Sequence, residues 1–474
     1  MIWSMSWKNV WRNKKRSLIV ICAVLLGTVG GVFTSGIMKG WVHQRIDTVV
    51  YTEVSHIKIH NPDYLLNEEI KYTIPQSDKV EQYLSNNPKV KAFTERIKLM
   101  VMANTSRGNT ALMLQGINLK DEMAVSELYT KIVAGGGSYF DTKMSNPIVI
   151  SDKTAELLRI KNYQITEEVM DSLIKMEIPQ PIIDKLSTIE NERFKTKKLF
   201  NTAIKKLLTK NEIKNFGSPV LLASVHYRLR GKIIVTFNDR QGRLVYQTFK
   251  VCGIFKTTDT MFDQMNAFVL RDNLASIAGF TDGSIHEIAM LANDENEVAS
   301  LKADIQKAFP DLSVMDWKDL SPDSAMMTEF MDIWYLVIMG IILFALAFGI
   351  INTMMMAILE RIKELGMLMA IGMNKKRVFR MIMFETIFLT MVGAVAGMGV
   401  GALLIAITGR TGLNFSSVTE GLEAMGYSAL IFPEIDTGFF FLVTLLVIIT
   451  GILASISPAR KALKLNPVEA IRTE

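Results

Sequence analysis

Few side chains in this sequence have the type and spacing to do chemistry. His56 and His60 lie four residues apart, the interval at which a helix offers two imidazoles to one metal ion. The surrounding SHIKIHNPDY reads instead as a strand, where the two share a face without the bite of a helical site. Met354-Met355-Met356 presents three thioethers, but consecutive residues on a helix point in different directions and no Cys or His joins them, so packing is expected. Cys22 falls in an apolar run, as a small packing residue, and Cys252 in a strand pattern, so no disulfide within the chain is expected. Glu385 sits about one turn into another apolar run, from where it can reach the membrane interface. No G-x-x-x-x-G-K-[ST] stretch is present to cradle the phosphates of ATP. No metal ligands and no catalytic residues are assigned.

What remains is the chemistry of contact. From Leu359 to Arg380 the chain reads LERIKELGMLMAIGMNKKRVFR, a charged stretch held between two long apolar runs. Glu360, Arg361, Lys363 and Glu364 crowd its front, and Lys375, Lys376, Arg377 and Arg380 its back. Between them Leu365, Met367, Leu368, Ala370 and Ile371 form an apolar patch punctuated by Gly366 and Gly372. A short helix with an apolar middle and charged ends, fixed at a membrane surface, is built to press on a partner. Leu365, Leu368 and Ile371 would supply an apolar knob, and Arg361, Lys363 and Glu364 its charged rim.

The elements that position this stretch are membrane spans. The chain has 474 residues, 49% of them hydrophobic, with 29 Met, a high fraction for a soluble protein. A net charge of +6 with cations clustered beside apolar runs, and no basic stripe carrying aromatics, argues against a nucleic-acid partner. The opening MIWSMSWKNVWRNKKRS places Ile2, Trp3, Trp7, Val10 and Trp11 at helical spacing among Lys and Arg, the pattern of an amphipathic helix in the interface. Leu18 to Met38 follows without a charge, at about the 20 residues a bilayer core requires. A cleaved signal peptide and a lipoprotein signal ending at Cys22 compete with a retained span. The span is preferred, because the run is long, ends without a small-x-small site and has Ile21 before the cysteine.

Beyond it apolar runs shorten to strand length. Val54 to Ile59, Arg96 to Met102 and Ala111 to Ile117 read as strands, the last two joined across Ser106-Arg107-Gly108-Asn109. Lys232 to Phe237 and Leu244 to Phe255 form another hairpin, with helices expected at Ser77–Leu84, Thr154–Leu158 and Asn296–Phe309. Ile165 to Asn215 has helical spacing only, broken at Ile178-Pro179-Gln180-Pro181, and reads as a helical insertion. The fold class is a membrane protein of four transmembrane α-helices with a large extracytoplasmic mixed α/β domain between the first and second. The divisions are an interfacial helix over 1–16, spans over 17–39, 329–359, 381–408 and 438–456, and the α/β domain over 40–328, including the insertion at 165–215. A coupling loop over 360–380, an outer loop over 409–437 and a tail over 457–474 complete the chain. Basic ends at Lys8 to Arg16, Arg361 to Arg380 and Arg460 to Lys464 belong on one side, which makes both termini cytoplasmic and the α/β domain periplasmic. Gly393, Gly397 and Gly401 recur every fourth residue in the third span, where small residues let helices approach, within the chain or across a subunit interface.

The layout and three motifs carry a resemblance: WKNVWRNKKRS at the start, R-x-K-E-L-G-x-L-x-A-I-G from Arg361 to Gly372, and Pro467-Val468-Glu469-Ala470-Ile471-Arg472 near the end. Together they resemble the permease subunits of the FtsX-like, MacB-like superfamily of ABC transporters over essentially the whole chain. SHIKIHNPDY, FKVCGIFKTTDTMFDQMNAFVL and Trp317 before the second span are most similar to lipoprotein-releasing, Lol-type permeases. The insertion is not part of that pattern. The resemblance implies a non-catalytic permease that binds no cofactor, with ATP and Mg used by a separate cytoplasmic ABC ATPase dimer. Its coupling helix would be carried by Glu360, Arg361, Lys363, Glu364, Leu365, Gly366, Leu368, Ala370, Ile371 and Gly372. The second span, about 40 Å long if helical, would transmit the movement outward. It further implies a bacterial inner-membrane location, a second permease subunit, identical or homologous, and a periplasmic lipoprotein carrier. Val32, Phe33, Ile37, Met331, Trp334, Tyr335 and Ile338 would touch membrane lipid or the acyl chains of the substrate. A MacB-like efflux permease is the alternative, and a division-type mechanotransducer that activates a cell-wall hydrolase is the alternative of another class.

Overall fold

The computed structural model describes residues 2–463 apart from 13, 142, 281–282, 416–420, 423–426 and 435–436. The chain divides into a helical unit, Met1–Arg45, Met326–Thr419 and Ser428–Glu474, and a second unit built mainly from Ile46–Ala325. Four helices are long and apolar enough to cross a membrane: Ser17–Val54, Pro322–Glu360, Lys375–Thr411 and Phe440–Leu463. The large α/β fold lies between the first and second of them in the chain.

Each long helix overruns the apolar stretch that marks it. The first begins at Lys14, runs as α-helix to Thr48 and closes in π-type turns through Val54, so residues 40–54 are helix, and the second unit takes over within it at Ile46. The second begins at Pro322 rather than 329. The third begins at Lys375, with the Asn374 side chain accepting from Lys376 N at 2.9 Å, so 375–380 belong to the helix and not to a loop. The fourth continues past 456 to Leu463. Helices end where the backbone is turned, not where hydrophobicity stops: the turning residues are Ser55 at φ 68, Gly372 at φ +92 and Gly412 at φ +72. The ending at 467–472 lies outside the described residues.

The three regularly spaced glycines of the third long helix lie against the first. A Cβ on Gly393 would stand 2.7 Å from Val24 Cβ, one on Gly397 2.7 Å from Thr28 Cβ, and one on Gly401 3.0 Å from a Val32 methyl. These contacts are within the chain, and they seat Val32 in the core rather than against lipid. The N-terminal helix, Ile2–Arg12, also packs on the third long helix instead of only lying in an interface. Trp3 and Trp7 meet Phe388 edge-on with ring centroids 4.9 and 5.2 Å apart, and Ser6 Oγ donates to Met381 O at 3.2 Å. Cys22 faces outward, so it is not a core packing residue.

The second unit is organised on a ten-stranded sheet. In chain order the strands are β1 (Ile57–His60), β2 (Val90–Asn104), β3 (Asn109–Ile117), β4 (Ile132–Gly137), β5 (Pro147–Ser151), β6 (Lys161–Gln164), β7 (Arg193–Phe194) and β8 (Val225–Tyr227). β9 (Lys232–Asn238), β10 (Leu244–Phe255), β11 (Asn266–Leu270), β12 (Glu287–Ala292) and β13 (Ser313–Asp316) follow. The spatial order is β13-β1-β12-β2-β3-β11-β5-β10-β4, with β9 paired to β10 and β2. The β2–β3 and β9–β10 hairpins follow the turn residues of the sequence, with Asn104 opposite Asn109 and Asn238 opposite Leu244.

The insertion is larger than its helical spacing indicates. Helices at Glu167–Lys175, Gln180–Leu186, Lys197–Leu207 and Lys210–Ala223 are closed by the small sheet β7-β6-β8, so the module spans 161–227 and contains strands. Thr166, Thr196 and Thr209 cap three of the helices, and Tyr163, Leu173, Leu186, Phe200 and Val220 give it a core of its own.

A charged cluster is buried in the large sheet. Register sets His60, Glu287 and Arg96 side by side on β1, β12 and β2. Glu287, fully buried, accepts from Arg96 Nη1 at 2.8 Å, Lys98 Nζ at 2.9 Å and His60 Nε2 at 2.9 Å, with Lys58 Nζ at 3.4 Å. Arg96 also donates to Glu122, at 3.0 Å from Nε and 2.7 Å from Nη2. Burial works to raise the Glu287 carboxyl, but Lys58, Lys98, His60 and Arg96 outweigh it and hold the group well below the carboxylate range. Burial pushes Lys58 down to about 8 against the attraction of Glu287.

Candidate functional site

The stretch between the second and third long helices is an elbow. The second helix ends at Glu360, Arg361 leaves helical geometry at φ -108 and ψ 17, and a short helix runs over Ile362–Ala370. Its end is closed by Gly372 N donating to Met369 O at 3.2 Å and Met373 N to Leu368 O at 3.0 Å. Gly372 takes φ +92, a left-handed conformation in which a side chain would be strained. Asn374 then caps the third long helix.

The helix turns one face inward and one outward. Leu365 is 4% exposed and belongs to the buried cluster of Val10, Val378, Met381 and Ile382, with Leu368 half-buried against it. Gly366 is buried too. The outward face carries Glu360, Lys363, Glu364, Met367, Ala370 and Ile371, a row at intervals of three and four. Met367 is 58% and Ile371 77% exposed. The apolar knob is therefore Met367, Ala370 and Ile371, whereas Leu365 and Leu368 hold the elbow to the helices. Helical periodicity contained this signal, since Met367 falls on the row that starts at Glu360.

Arg361 is also not a rim charge. Its side chain is 13% exposed, and Nη1 donates to both oxygens of Glu385, at 3.1 and 3.2 Å. Glu385, 3% exposed, meets the elbow instead of reaching for the interface, because an opposite charge at hydrogen-bond distance satisfies it where it stands. Arg361 Nη2 is buried without a hydrogen-bond partner among the described residues. Glu364 bonds to Arg12 of the N-terminal helix and lies 3.6 Å from Arg361 Nε. The elbow is thus tied to the third long helix by a buried pair and to the N-terminal helix by an exposed one.

Residues 336–467, which contain the elbow and the third and fourth long helices, match the family described as FtsX-like permease C-terminal. This part of the chain is thus similar to FtsX-like permeases. An uncharacterised ABC transporter permease of Methanocaldococcus jannaschii is 28% identical over 236 residues, covering 48% of this chain and 55% of its own. The uncharacterised ABC transporter permease YknZ of Bacillus subtilis is 26% identical over 239 residues, with the same shares of 48% and 55%. The macrolide export ATP-binding/permease protein MacB of Escherichia coli is 32% identical over 126 residues, 27% of this chain and 17% of its own. The chain spans about half the length of the first two relatives.

The residues expected to touch lipid or substrate differ in exposure. Val32 is buried against Gly401, and Phe33, Ile37, Met331, Tyr335 and Ile338 are half-buried. Trp334 is exposed, and it shares the second long helix with exposed Ile333, Leu336, Val337, Ile341, Phe344 and Phe348. That helix presents the broad apolar surface that suits a hydrocarbon environment. Among the described residues, no group of three His, Cys, Asp or Glu is placed to hold a metal ion.

Proposed function

We propose that this permease is the subunit of an ABC transporter complex that receives work from a separate ATPase pair through the outward face of its elbow. One observation carries the reading: at the polar end of two long apolar helices, Met367, Ala370 and Ile371 are exposed together, rimmed by Glu360, Lys363 and Glu364. An apolar patch with charged edges fits a protein contact. Leu365 and the Arg361–Glu385 pair fasten the elbow to the third helix, so a push on the face would move the second and third helices together. The cations Lys375, Lys376, Arg377, Arg460 and Lys461 support a cytoplasmic elbow and termini, with the α/β unit periplasmic and the membrane the bacterial inner one. ATP and Mg would be used by the partner, and a second permease subunit would provide the second docking face.

The cargo reading is extraction of lipoproteins from the inner membrane for delivery to a periplasmic carrier, supported by the resemblance of SHIKIHNPDY and FKVCGIFKTTDTMFDQMNAFVL to Lol-type permeases. A second reading, export, is supported by the similarity to a macrolide export protein. Cells carrying Ile371→Asp in place of the wild-type chain test both. The expected outcome is that the ATPase no longer copurifies and mature lipoproteins accumulate in the inner membrane. Undiminished copurification would overturn docking at this face, and lost copurification with normal lipoprotein sorting would overturn the cargo in favour of export.

A further inference from the structure

Where the insertion leaves and rejoins the large sheet, a cleft of about 710 Å³ opens. Its lining includes Arg107 from the β2–β3 turn, Arg159 from the chain entering the insertion, and Arg228, Arg230 and Lys232 from the chain leaving it. No carboxylate lines it, and none of the five cations is in a salt bridge to a described residue. The nearest acids in sequence are otherwise engaged, Asp152 with Lys161 at 2.7 Å, Glu156 with Lys153 at 3.7 Å and Asp239 with Arg243 at 2.7 Å. Five like charges around one space repel one another, and an anion placed among them relieves that repulsion.

The main chain that carries these exposed cations is fixed. Arg159 and Arg230 adopt left-handed conformations, at φ 54 and φ 60, where glycine or asparagine would sit with less strain. Arg230 N donates to Val251 O at 2.8 Å, and Ile160 N to Ala155 O at 2.8 Å. Arg228 N donates to Ile160 O at 3.1 Å, joining the two walls. Thr105 Oγ1 donates to Leu158 O at 2.9 Å, and a Cβ on Gly108 would fall 2.3 Å from Leu157 O, so the hairpin tip that carries Arg107 is pressed onto the entering chain. The walls are fixed before any ligand arrives.

We propose that this cleft binds an anionic ligand carrying at least two phosphate-type oxyanions. Guanidinium groups match such oxygens with paired N–H donors, and four of the five cations are arginines. The volume lies in the range of small-molecule sites, roughly 300–1,000 Å³, and exceeds what one oxyanion fills. Exposed Leu229 and Ile234 add apolar wall for the body of the ligand. The site does not depend on the cargo or the ATPase reading.

The source of the phosphates, a free diphosphate or a lipid headgroup, is separated by two probes on the full-length chain in phosphatidylcholine nanodiscs. Inorganic pyrophosphate is titrated by calorimetry, and binding to phosphatidylcholine vesicles with and without cardiolipin, whose headgroup carries two phosphates, is followed by flotation. The double variant Arg159→Asn/Arg230→Asn removes two charges while keeping residues that tolerate the left-handed backbone, and Arg107→Gln alters only an exposed turn. Lys205→Asn/Lys206→Asn, on the insertion away from the cleft, is the charge-matched control. Binding to either probe that falls about tenfold or more in the double variant, falls in Arg107→Gln, persists in the control and weakens with salt supports the site. The probe that binds identifies the source. No binding to either probe, or equal binding by wild type and both cleft variants, overturns it.

Discussion

Two regions of this molecule bury charge, and they do it differently. In the sheet, Glu287 is surrounded by Arg96, Lys98, His60 and Lys58, and Arg96 is shared with Glu122. At the elbow one guanidinium, Arg361, donates to the buried Glu385 and lies 3.6 Å from the exposed Glu364. The sheet cluster joins three strands drawn from distant parts of the chain, which makes it a fastening of the fold. The elbow pair joins the start of a nine-residue helix to the helix that follows it, which makes it a local fastening. Burying a charge is therefore not one kind of feature: its meaning depends on how many groups share the load.

The largest expected effect is from Glu287→Gln, which leaves Arg96, Lys98 and Lys58 without their common carboxylate. We expect a loss of about 3–5 kcal/mol from the α/β unit, read by urea unfolding of the reconstituted chain. A loss under about 1 kcal/mol would remove the sheet cluster from the stabilising side of the comparison. The pH dependence is a smaller version of the same test. Because the folded-state pKa of Glu287 lies below its ordinary value of 4.5, its contribution is complete above that value and is lost as pH falls through the lower, folded value. Glu287→Gln should flatten that acid limb of the melting temperature; an unchanged limb would assign it to other carboxylates. The smallest stability effect belongs to Glu385→Gln, which keeps a hydrogen-bond acceptor for Arg361 and should shift unfolding by about 1–3 kcal/mol. Its main readout is ATP hydrolysis that proceeds without transport in the assembled complex. Intact coupling together with a stability loss as large as that of Glu287→Gln would make the two regions equivalent.

Much of the fold was legible because its signals are local. The β2–β3 and β9–β10 hairpins follow from alternating strands around Ser106-Arg107-Gly108 and Asp239-Arg240-Gln241-Gly242, and the four apolar runs from their length. Helix ends were misplaced because composition changes before the backbone turns, as at Thr48 and Lys375. The sheet cluster was not legible at all. Lys58, Arg96, Lys98 and Glu287 each precede an apolar residue, as on a strand with one solvent-facing side, and only pairing between strands far apart in the chain turns that face inward. At the elbow the location was legible from its charged ends and glycines. Which face turns outward is not set by residue types alone, since Leu365 and Arg361 look as fit for docking as Met367 and Ile371 until the third helix is laid beside them.

The small sheet at the base of the insertion has a further consequence. Lys161 and Tyr227 stand opposite each other across β6 and β8, so the chain departs and returns through a doorway one strand spacing wide. A module attached in this way is a graft: its length can grow, shrink or be excised without altering the register of any strand in the large sheet. Such attachment lets the chain carry an appendage while the strands of the large sheet stay as they are.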